Sequence, residues 1–405
     1  MLCRTMTADL NAFIAADPAD VARQQENLPP GPLHGLVVAV KDIIDALPYA
    51  TTGGVLGWSR RPEADAEVVA RLRAAGAVIA GKTHTNQFAY GIDGENPALG
   101  PARNPHDPTL LTGGSSSGSA AAVGAGLVDA ALGTDTSGSL RVPAAWCGVW
   151  AIRPTTGSIP SAGVLPLAPS FDVVGPLARD LDTLAAVWQV IAADAAPLAP
   201  RAPDGLRVRV LEEGVTGCTP EVTAAVEAFI AALAGAGAQV ERDTASTYLA
   251  RAQAQHGGVQ LPEASRSLRG ILGDRLDVLA PDIRDRVLAG EQHTDAEYAA
   301  ALEGVTALRG EVVAALGETD LLLVPCAPMG PVPPSTPAVD VDGGPRTVRE
   351  ALLSRSVLFS QVGCPVLAWP LLGPGGAPVA GVQLAGAPGA DRRLLEQALG
   401  LARAI

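Results

Sequence analysis

Two short loops built almost wholly of glycine and hydroxyl residues are the part of this chain best suited to chemistry. They are Gly113-Gly114-Ser115-Ser116-Ser117-Gly118-Ser119 and Gly133-Thr134-Asp135-Thr136-Ser137-Gly138-Ser139-Leu140-Arg141. Glycine lets backbone N–H groups approach a ligand closely, and the hydroxyls can carry protons or attack an electrophile. A Gly/Ser cluster alone is more often a turn or linker. Here the small, apolar residues 119–132 read as one buried helix that would hold the two loops rigidly, which favours a site. A serine nucleophile needs a base, and the basic residues narrow the choice: all but two of the 29 are arginine, the exceptions being Lys41 and Lys82. Arginine stays protonated in a protein, whereas a desolvated lysine can lose its proton and serve as a base. Lys41 follows the apolar run Leu36-Val37-Val38-Ala39-Val40, which places its amine at a strand end inside the fold. The plainer alternative is a lysine that reaches solvent or pairs with Asp42 or Asp45.

Three rival motifs compete with this pairing. Gly114-Ser115-Ser116-Ser117-Gly118 fits the G-x-S-x-G nucleophile elbow, which would make Ser116 the nucleophile of a Ser-His-Asp hydrolase. His256 and His293 are the only later histidines, neither sits in a strand-end pattern, and the elbow leaves the second loop unexplained. Gly76-Ala77-Val78-Ile79-Ala80-Gly81-Lys82-Thr83 matches G-x-x-x-x-G-K-[ST] letter for letter. Its variable positions, however, spell a buried strand whose N–H groups pair in a sheet, leaving no donors for a phosphate. A Ser-x-x-Lys hydrolase fails because Val38 and Ile79 stand three residues before the lysines.

The elements that must position these loops alternate between helical and strand patterns, so the chain reads as α/β. Helices are expected over residues 7–26, 63–75 and, with a Thr219-Pro220-Glu221 start, up to Gly235; strands over 35–40, 77–80, 208–211, 321–324, 366–369 and 379–384. Residues 194–205, rich in alanine and proline, are the best candidate boundary, but apolar strands lie on both sides. One large domain with an insertion-like second half follows. The 405 residues are 48% hydrophobic and 18% charged, enough to bury a substantial core. The net charge of −13 repels phosphate backbones and anionic lipid, so direct nucleic-acid binding is not expected. Prolines cut the two long uncharged runs, 321–339 and 356–390, into pieces too short to cross a bilayer. No secretory signal is visible, and five widely spaced cysteines suit buried thiols in a reducing cytoplasm.

Together these residues resemble the amidase signature family. The similarity lies in Val38-Ala39-Val40-Lys41-Asp42, in Gly113-Gly114-Ser115-Ser116, and in Asp135-Thr136-Ser137-Gly138-Ser139-Leu140-Arg141-Val142-Pro143-Ala144. Flanking segments such as Gly94-Glu95-Asn96 and Gly381-Val382-Gln383-Leu384 extend it over roughly residues 30–190 closely and 318–400 loosely. Residues 200–317 match nothing in the family and are expected to cover the substrate. The resemblance implies a mixed central sheet covered by helices in a single domain spanning 1–405. It implies a Ser-Ser-Lys triad of Ser139 as nucleophile, Ser115 as bridge and Lys41 as base. It further implies an oxyanion hole of backbone N–H groups from Thr136, Ser137, Gly138 and Ser139, with no metal or organic cofactor. The activity implied is hydrolysis of a small or medium carboxylic amide through an acyl-enzyme, most similar to the indole-acetamide hydrolase-like branch. The alternative within the family is the glutamine-hydrolysing subunit of a tRNA-dependent amidotransferase. No nucleic-acid or membrane partner is implied, and a homodimer is compatible with the sequence.

Ser117 and Ser137 depart from the family pattern by standing where glycine is usual, which would cost about 1 kcal/mol each if those positions required positive φ. Gln87 replaces an acid. With only 14 aromatic residues in the chain, those near the signature segments become pocket candidates: Trp58, Tyr90, Trp146, Trp150 and Phe171. Asp135 and Arg141 are expected to brace the second loop. After Arg141 only Arg153 and Arg179 follow within residues 30–190, so a largely apolar primary amide of an aryl- or alkyl-acetic acid is expected. A cation from Arg251, Arg266 or Arg269, with Tyr298, would change that.

Overall fold

The structure, a computed structural model, describes residues 10–405. Its strands are β1 (Phe13–Ala15), β2 (Val37–Lys41), β3 (Val78–Thr83), β4 (Ala130–Asp135), β5 (Trp150–Arg153), β6 (Val173–Ala178), β7 (Arg207–Leu211), β8 (Gln239–Asp243), β9 (Leu321–Pro325), β10 (Val339–Val341), β11 (Gly344–Arg346), β12 (Val366–Leu372) and β13 (Pro378–Ala385). All but the β10–β11 hairpin form one eleven-stranded sheet in the order β1-β3-β2-β4-β6-β5-β12-β13-β9-β7-β8. Pairing is parallel at β2–β3, β2–β4, β7–β8 and β7–β9 and antiparallel elsewhere. The sheet is mixed and its faces are covered by helices, so the chain is a single α/β domain. Residues 194–205 do not divide it, because β12, β13 and β9 lie between β5 and β7 and stitch the two halves into one sheet. No helix among the described residues is long and apolar enough to cross a membrane.

Two elements differ from the sequence reading. The helix expected over residues 7–26 is, within the described residues, the edge strand β1 followed by a helix at Pro18–Glu26. Asp17 sets the start: its carboxylate accepts from the Ala19 N–H at 2.9 Å, and Pro18 occupies the first helical turn, where its missing N–H costs nothing. The run 119–132 is likewise two elements, a helix at Ser117–Gly124 and the strand β4, separated by Gly126 at φ +68°. Alanine-rich segments buried on every side have no periodicity to separate strand from helix. The correction matters, since β4 lies beside β2 in the middle of the sheet and leads directly into the second Gly/Ser loop.

Lys82 sits on β3 with its neighbours paired to β2, as a strand and not a phosphate loop. Its fully buried amine lies 3.0 Å from the buried Asp42 carboxylate and donates to Thr51 Oγ1 at 2.9 Å. Removing one partner of a buried pair strands the other charge. Lys82→Ala should therefore lower unfolding free energy by about 3–5 kcal/mol in urea titration. Magnesium ATP should show no heat of binding to the wild type; saturable micromolar binding that disappears in the variant would restore the nucleotide reading.

Candidate active site

β2 ends at Lys41, and the strand's burial carries the lysine's amine to the floor between the two loops. Lys41 Nζ donates to Ser115 Oγ at 2.7 Å, Thr134 Oγ1 at 2.8 Å and Ser116 Oγ at 3.1 Å. No carboxylate pairs with it among the described residues. Desolvation pulls its pKa down to about 7, with the more distant Asp135 and Asp172 opposing the shift. The neutral amine is thus accessible near neutrality.

The first loop depends on its glycines. A Cβ at Gly114 would stand 2.2 Å from Asn86 Oδ1, so only glycine lets the chain pass and aim Ser115 at Lys41. Ser116 lies one residue on, where its hydroxyl donates to the Thr134 carbonyl and accepts from the Thr134 N–H, both at 3.2 Å, tying loop to strand. No histidine bonds to Ser116 among the described residues, as an elbow nucleophile would require.

The second loop is wound around the Asp135 carboxylate. It accepts from the N–H groups of Gly138 (2.9 Å) and Leu140 (3.1 Å) and from Arg141 Nε (3.0 Å) and Nη2 (2.8 Å), with Arg153 at 3.5 Å. Burial pushes the Asp135 pKa up, but Arg141 and Arg153 more than offset it and hold the carboxyl well below the usual range. Arg141 also reaches the Ser356 carbonyl and Ser360 Oγ on the helix Val348–Val362. That helix touches the loop a second time, as Ser356 Oγ donates to the Ser137 carbonyl. Gly138 has φ +116°, and a Cβ there would meet Ser356 Cβ at 2.5 Å.

Ser139 is nearly buried and its Oγ has no hydrogen-bond partner among the described residues; Ser115 Oγ has only Lys41. The Ser115–Ser139 link is therefore open in this structure, while the two loops are joined by the Ser116 N–H donating to the Ser139 carbonyl at 3.3 Å. The N–H groups of Thr136, Ser137 and Ser139 are uncommitted, and all three residues line one small cavity with Tyr90, Gln260 and Arg349. Gly138 departs from the expected donor set: its N–H is spent on Asp135.

Neither Ser117 nor Ser137 carries the strain that a serine at a glycine position would imply, for neither has positive φ. Each has instead a polar anchor. Ser117 Oγ bonds His84 Nδ1 at 2.8 Å, and Ser137 Oγ bonds His256 Nε2 and Gln260 Nε2, both at 3.0 Å. His256 and Gln260 come from the helix Tyr248–Leu272, inside the stretch that matched nothing in the family. Burial lowers the His256 pKa to about 3, so its ring is neutral there. Gln87 accepts from the Ala280 N–H at 2.8 Å and so joins the signature core to the same covering stretch.

A larger cavity of about 350 Å³ adjoins the small one, sharing Ala89, Thr136 and Leu167 with it and walled mainly by apolar side chains such as Ile43, Ile159 and Val174. Asp172 stands in its wall, accepting from Thr136 Oγ1 at 2.5 Å. Of the aromatic candidates, Tyr90 lines the Ser139 cavity. Trp58, Trp146, Trp150 and Phe171 line neither cavity: Trp58 packs on Phe88, Trp150 on Trp369, Phe171 stacks on His256, and the buried Trp146 donates to the Met329 carbonyl at 3.1 Å. Arg251, Arg266 and Arg269 lie in ion pairs with Glu311, Asp295 and Glu291, away from both cavities. The cation that does reach the cavity, Arg349, is not one the sequence pointed to. Its only local signal is its place in a first helical turn opened by Thr347 and Glu350.

Known proteins resemble this chain over nearly its whole length. The amidase family model matches residues 3–395. The chain is 35% identical to AtzE, a 1-carboxybiuret hydrolase subunit of Pseudomonas sp. (strain ADP), over 95% of this chain and 86% of that protein. It is 34% identical to a Glutamyl-tRNA(Gln) amidotransferase subunit of Thermus thermophilus, over 96% of this chain and 89% of that one. A crystal structure of an amidase superposes with a TM-score of 0.90 at 33% identity, covering 98% and 92% of the two chains. The chain belongs to the amidase signature family and is an enzyme that hydrolyses amide C–N bonds.

Proposed function

We propose that this chain converts a small carboxylic amide to the acid and ammonia or an amine through an acyl-enzyme on Ser139. The observation that carries the reading is the buried, carboxylate-free Lys41 amine hydrogen-bonded to Ser115. Ser139 Oγ attacks the amide carbonyl as its proton passes to Ser115 and that of Ser115 to Lys41. The carbonyl π bond becomes an oxyanion facing the N–H groups of Thr136, Ser137 and Ser139. Collapse re-forms the carbonyl and breaks the C–N bond, and the leaving nitrogen takes a proton back through Ser115 from Lys41. Water then cleaves the ester by the same relay, returning Ser139 to its starting state. No step calls on a metal or an organic cofactor. Residues 200–317 form the covering region in this reading, supported by the reach of His256 and Gln260 to Ser137.

A second reading, the glutamine-hydrolysing subunit of an amidotransferase, is favoured by the likeness to the Thermus thermophilus protein. Ammonia release by the purified chain alone, from a panel of phenylacetamide, indole-acetamide, short aliphatic amides, acid monoamides and glutamine, separates the two. Turnover comparable with that of free amidases supports the first; release from glutamine only when a partner subunit is added supports the second. Absence of turnover with every amide, with or without a partner, would refute both.

The pH dependence has a definite sign. Lys41 as ammonium cannot take a proton, so kcat/KM should rise tenfold per pH unit below about 7 and level off above it as the amine becomes neutral. A profile flat between pH 5.5 and 9 would remove Lys41 from the role of base.

A further inference from the structure

One face of the covering helix Tyr248–Leu272 carries three buried polar residues one helical turn apart, His256, Gln260 and Glu263, where a covering helix ordinarily presents an apolar stripe. The proposed relay uses none of them, yet all three bond to the segments that carry the oxyanion donors. Gln260 Nε2 donates to Ser137 Oγ at 3.0 Å, and the same hydroxyl bonds His256 Nε2 at 3.0 Å. Glu263 accepts from the Ser170 N–H at 2.9 Å, from the Ser170 hydroxyl and from Tyr298 Oη at 2.7 Å. Ser170 belongs to the turn 167–172, in which the Leu167 and Ala168 N–H groups donate to Asp172 at 2.8 and 2.9 Å. Asp172 in turn accepts from Thr136 Oγ1 at 2.5 Å. Phe171 of that turn stacks on the His256 ring, their centres 5.7 Å apart. The helix thus reaches Ser137 directly and Thr136 through the turn.

Ser137 is gripped from two sides. Its carbonyl accepts from Ser356 Oγ on the helix Val348–Val362 and its hydroxyl is taken by Gln260 and His256, so its N–H is the polar group left over, in the cavity beside Ser139. A glycine at this position would offer no side chain to grip, and the peptide plane carrying that N–H could rotate. An N–H stabilises an oxyanion most when it already points at the place where charge develops, since nothing is then spent on turning it during the reaction. We propose that His256, Gln260 and Glu263 are positioning residues that aim the Thr136 and Ser137 N–H groups at the oxyanion, so that the covering helix sets the rate of the chemical step as well as access to the site. The proposal rests on the amidase reading and adds to it the source of the oxyanion hole's rigidity. Ser137, standing where glycine is usual, is the anchor through which the covering region grips the second loop.

The test reads kcat and KM separately, with the amide of the panel that the wild type hydrolyses fastest. Gln260→Leu and His256→Leu should each lower kcat about 10- to 100-fold with KM within about threefold, because the oxyanion exists only beyond the ground state. His256→Gln, which keeps a hydrogen-bonding group toward Ser137, should recover part of the loss. Ser137→Ala should lose as much as Gln260→Leu, and adding Gln260→Leu to it should cost less than about threefold more, since the hydroxyl through which Gln260 acts is gone. Ser137→Ala, the smallest of these changes, gives the same comparison of kcat with KM where a leucine variant does not fold. A trifluoromethyl ketone analogue of that amide gives a readout without turnover: Ser139 Oγ adds to its carbonyl carbon, the proton passes through Ser115 to Lys41, and the carbonyl oxygen becomes the oxyanion. Its affinity should fall by the same factor as kcat, while that of the acid product stays unchanged. A kcat within about threefold of the wild type in these variants, a loss that falls on KM, or full additivity of Gln260→Leu with Ser137→Ala would overturn the proposal, with wild-type turnover leaving the amidase reading intact. A wild type that neither hydrolyses any amide nor forms the ketone adduct would overturn the amidase reading itself, and the proposal with it.

Discussion

Ser139→Ala lowers kcat/KM for amide hydrolysis by about 10⁴- to 10⁶-fold while leaving the unfolding midpoint in urea close to that of the wild type. The size follows from removing the atom that forms the new bond, which no neighbouring group can replace. The unchanged stability follows from the structure, in which Ser139 Oγ makes no hydrogen bond that alanine would lose. Lys41→Arg gives a loss of at least about 10³-fold for a different reason: it keeps the positive charge but cannot give it up, so the relay has no acceptor. In the proposed relay the three residues act as one unit, so Ser139→Ala and Lys41→Arg combined should cost little more than Ser139→Ala alone. Full additivity of the two losses, or a Ser116→Ala variant as inactive as Ser139→Ala with Ser139→Ala active, would contradict this assignment.

Asp135→Asn lowers the unfolding free energy by about 3–5 kcal/mol in urea-induced unfolding, as large a loss as that expected of Lys82→Ala. The carboxylate is fully buried between Arg141 and Arg153 and also gathers two backbone N–H groups of the loop. Asparagine keeps the shape but strands two buried guanidiniums without their counter-charge. The pH dependence has the sign expected of a depressed carboxyl. The contribution is in place above the unfolded carboxyl value near 4 and is lost as pH falls toward the much lower folded value. A variant within about 1 kcal/mol of the wild type at pH 7 would show that Asp135 does not hold the loop together.

The residues proposed to do chemistry are more legible in the sequence than the elements carrying them. Lys41 stands out as one of two lysines and as the end of an apolar run, and the glycines of both loops mark backbone that must pass close to other atoms. The helix Pro220–Gly235 and strands β7, β9, β12 and β13 carry ordinary signals of capping and burial. β4 does not, because Ala130, Ala131 and Leu132 have neither β-branching nor alternation, and burial on both faces removes the contrast that periodicity needs. Trp58, Trp146 and Phe171 stand close in sequence to the signature segments, yet sequence distance does not tell which face of an element a ring leaves by. Arg349 escapes notice for the converse reason. It lies far from both loops along the chain and lines the cavity beside Ser139 only because Ser356 and Ser360 dock its helix against the second loop. Gly138 shows a finer limit: its N–H looks free in the sequence, and only the fold reveals that Asp135 has already taken it.

A covalent intermediate at Ser139 is the central claim, and the most direct test is to trap it. Wild-type protein mixed with an activated ester of a small acyl group, quenched in acid within milliseconds and digested, should yield one acylated peptide. Fragmentation in the mass spectrometer should place the added mass on Ser139, and Lys41→Arg should strongly slow its formation. Acylation of Ser116 or Ser115 in place of Ser139, or steady turnover without any acylated peptide, would contradict the claim.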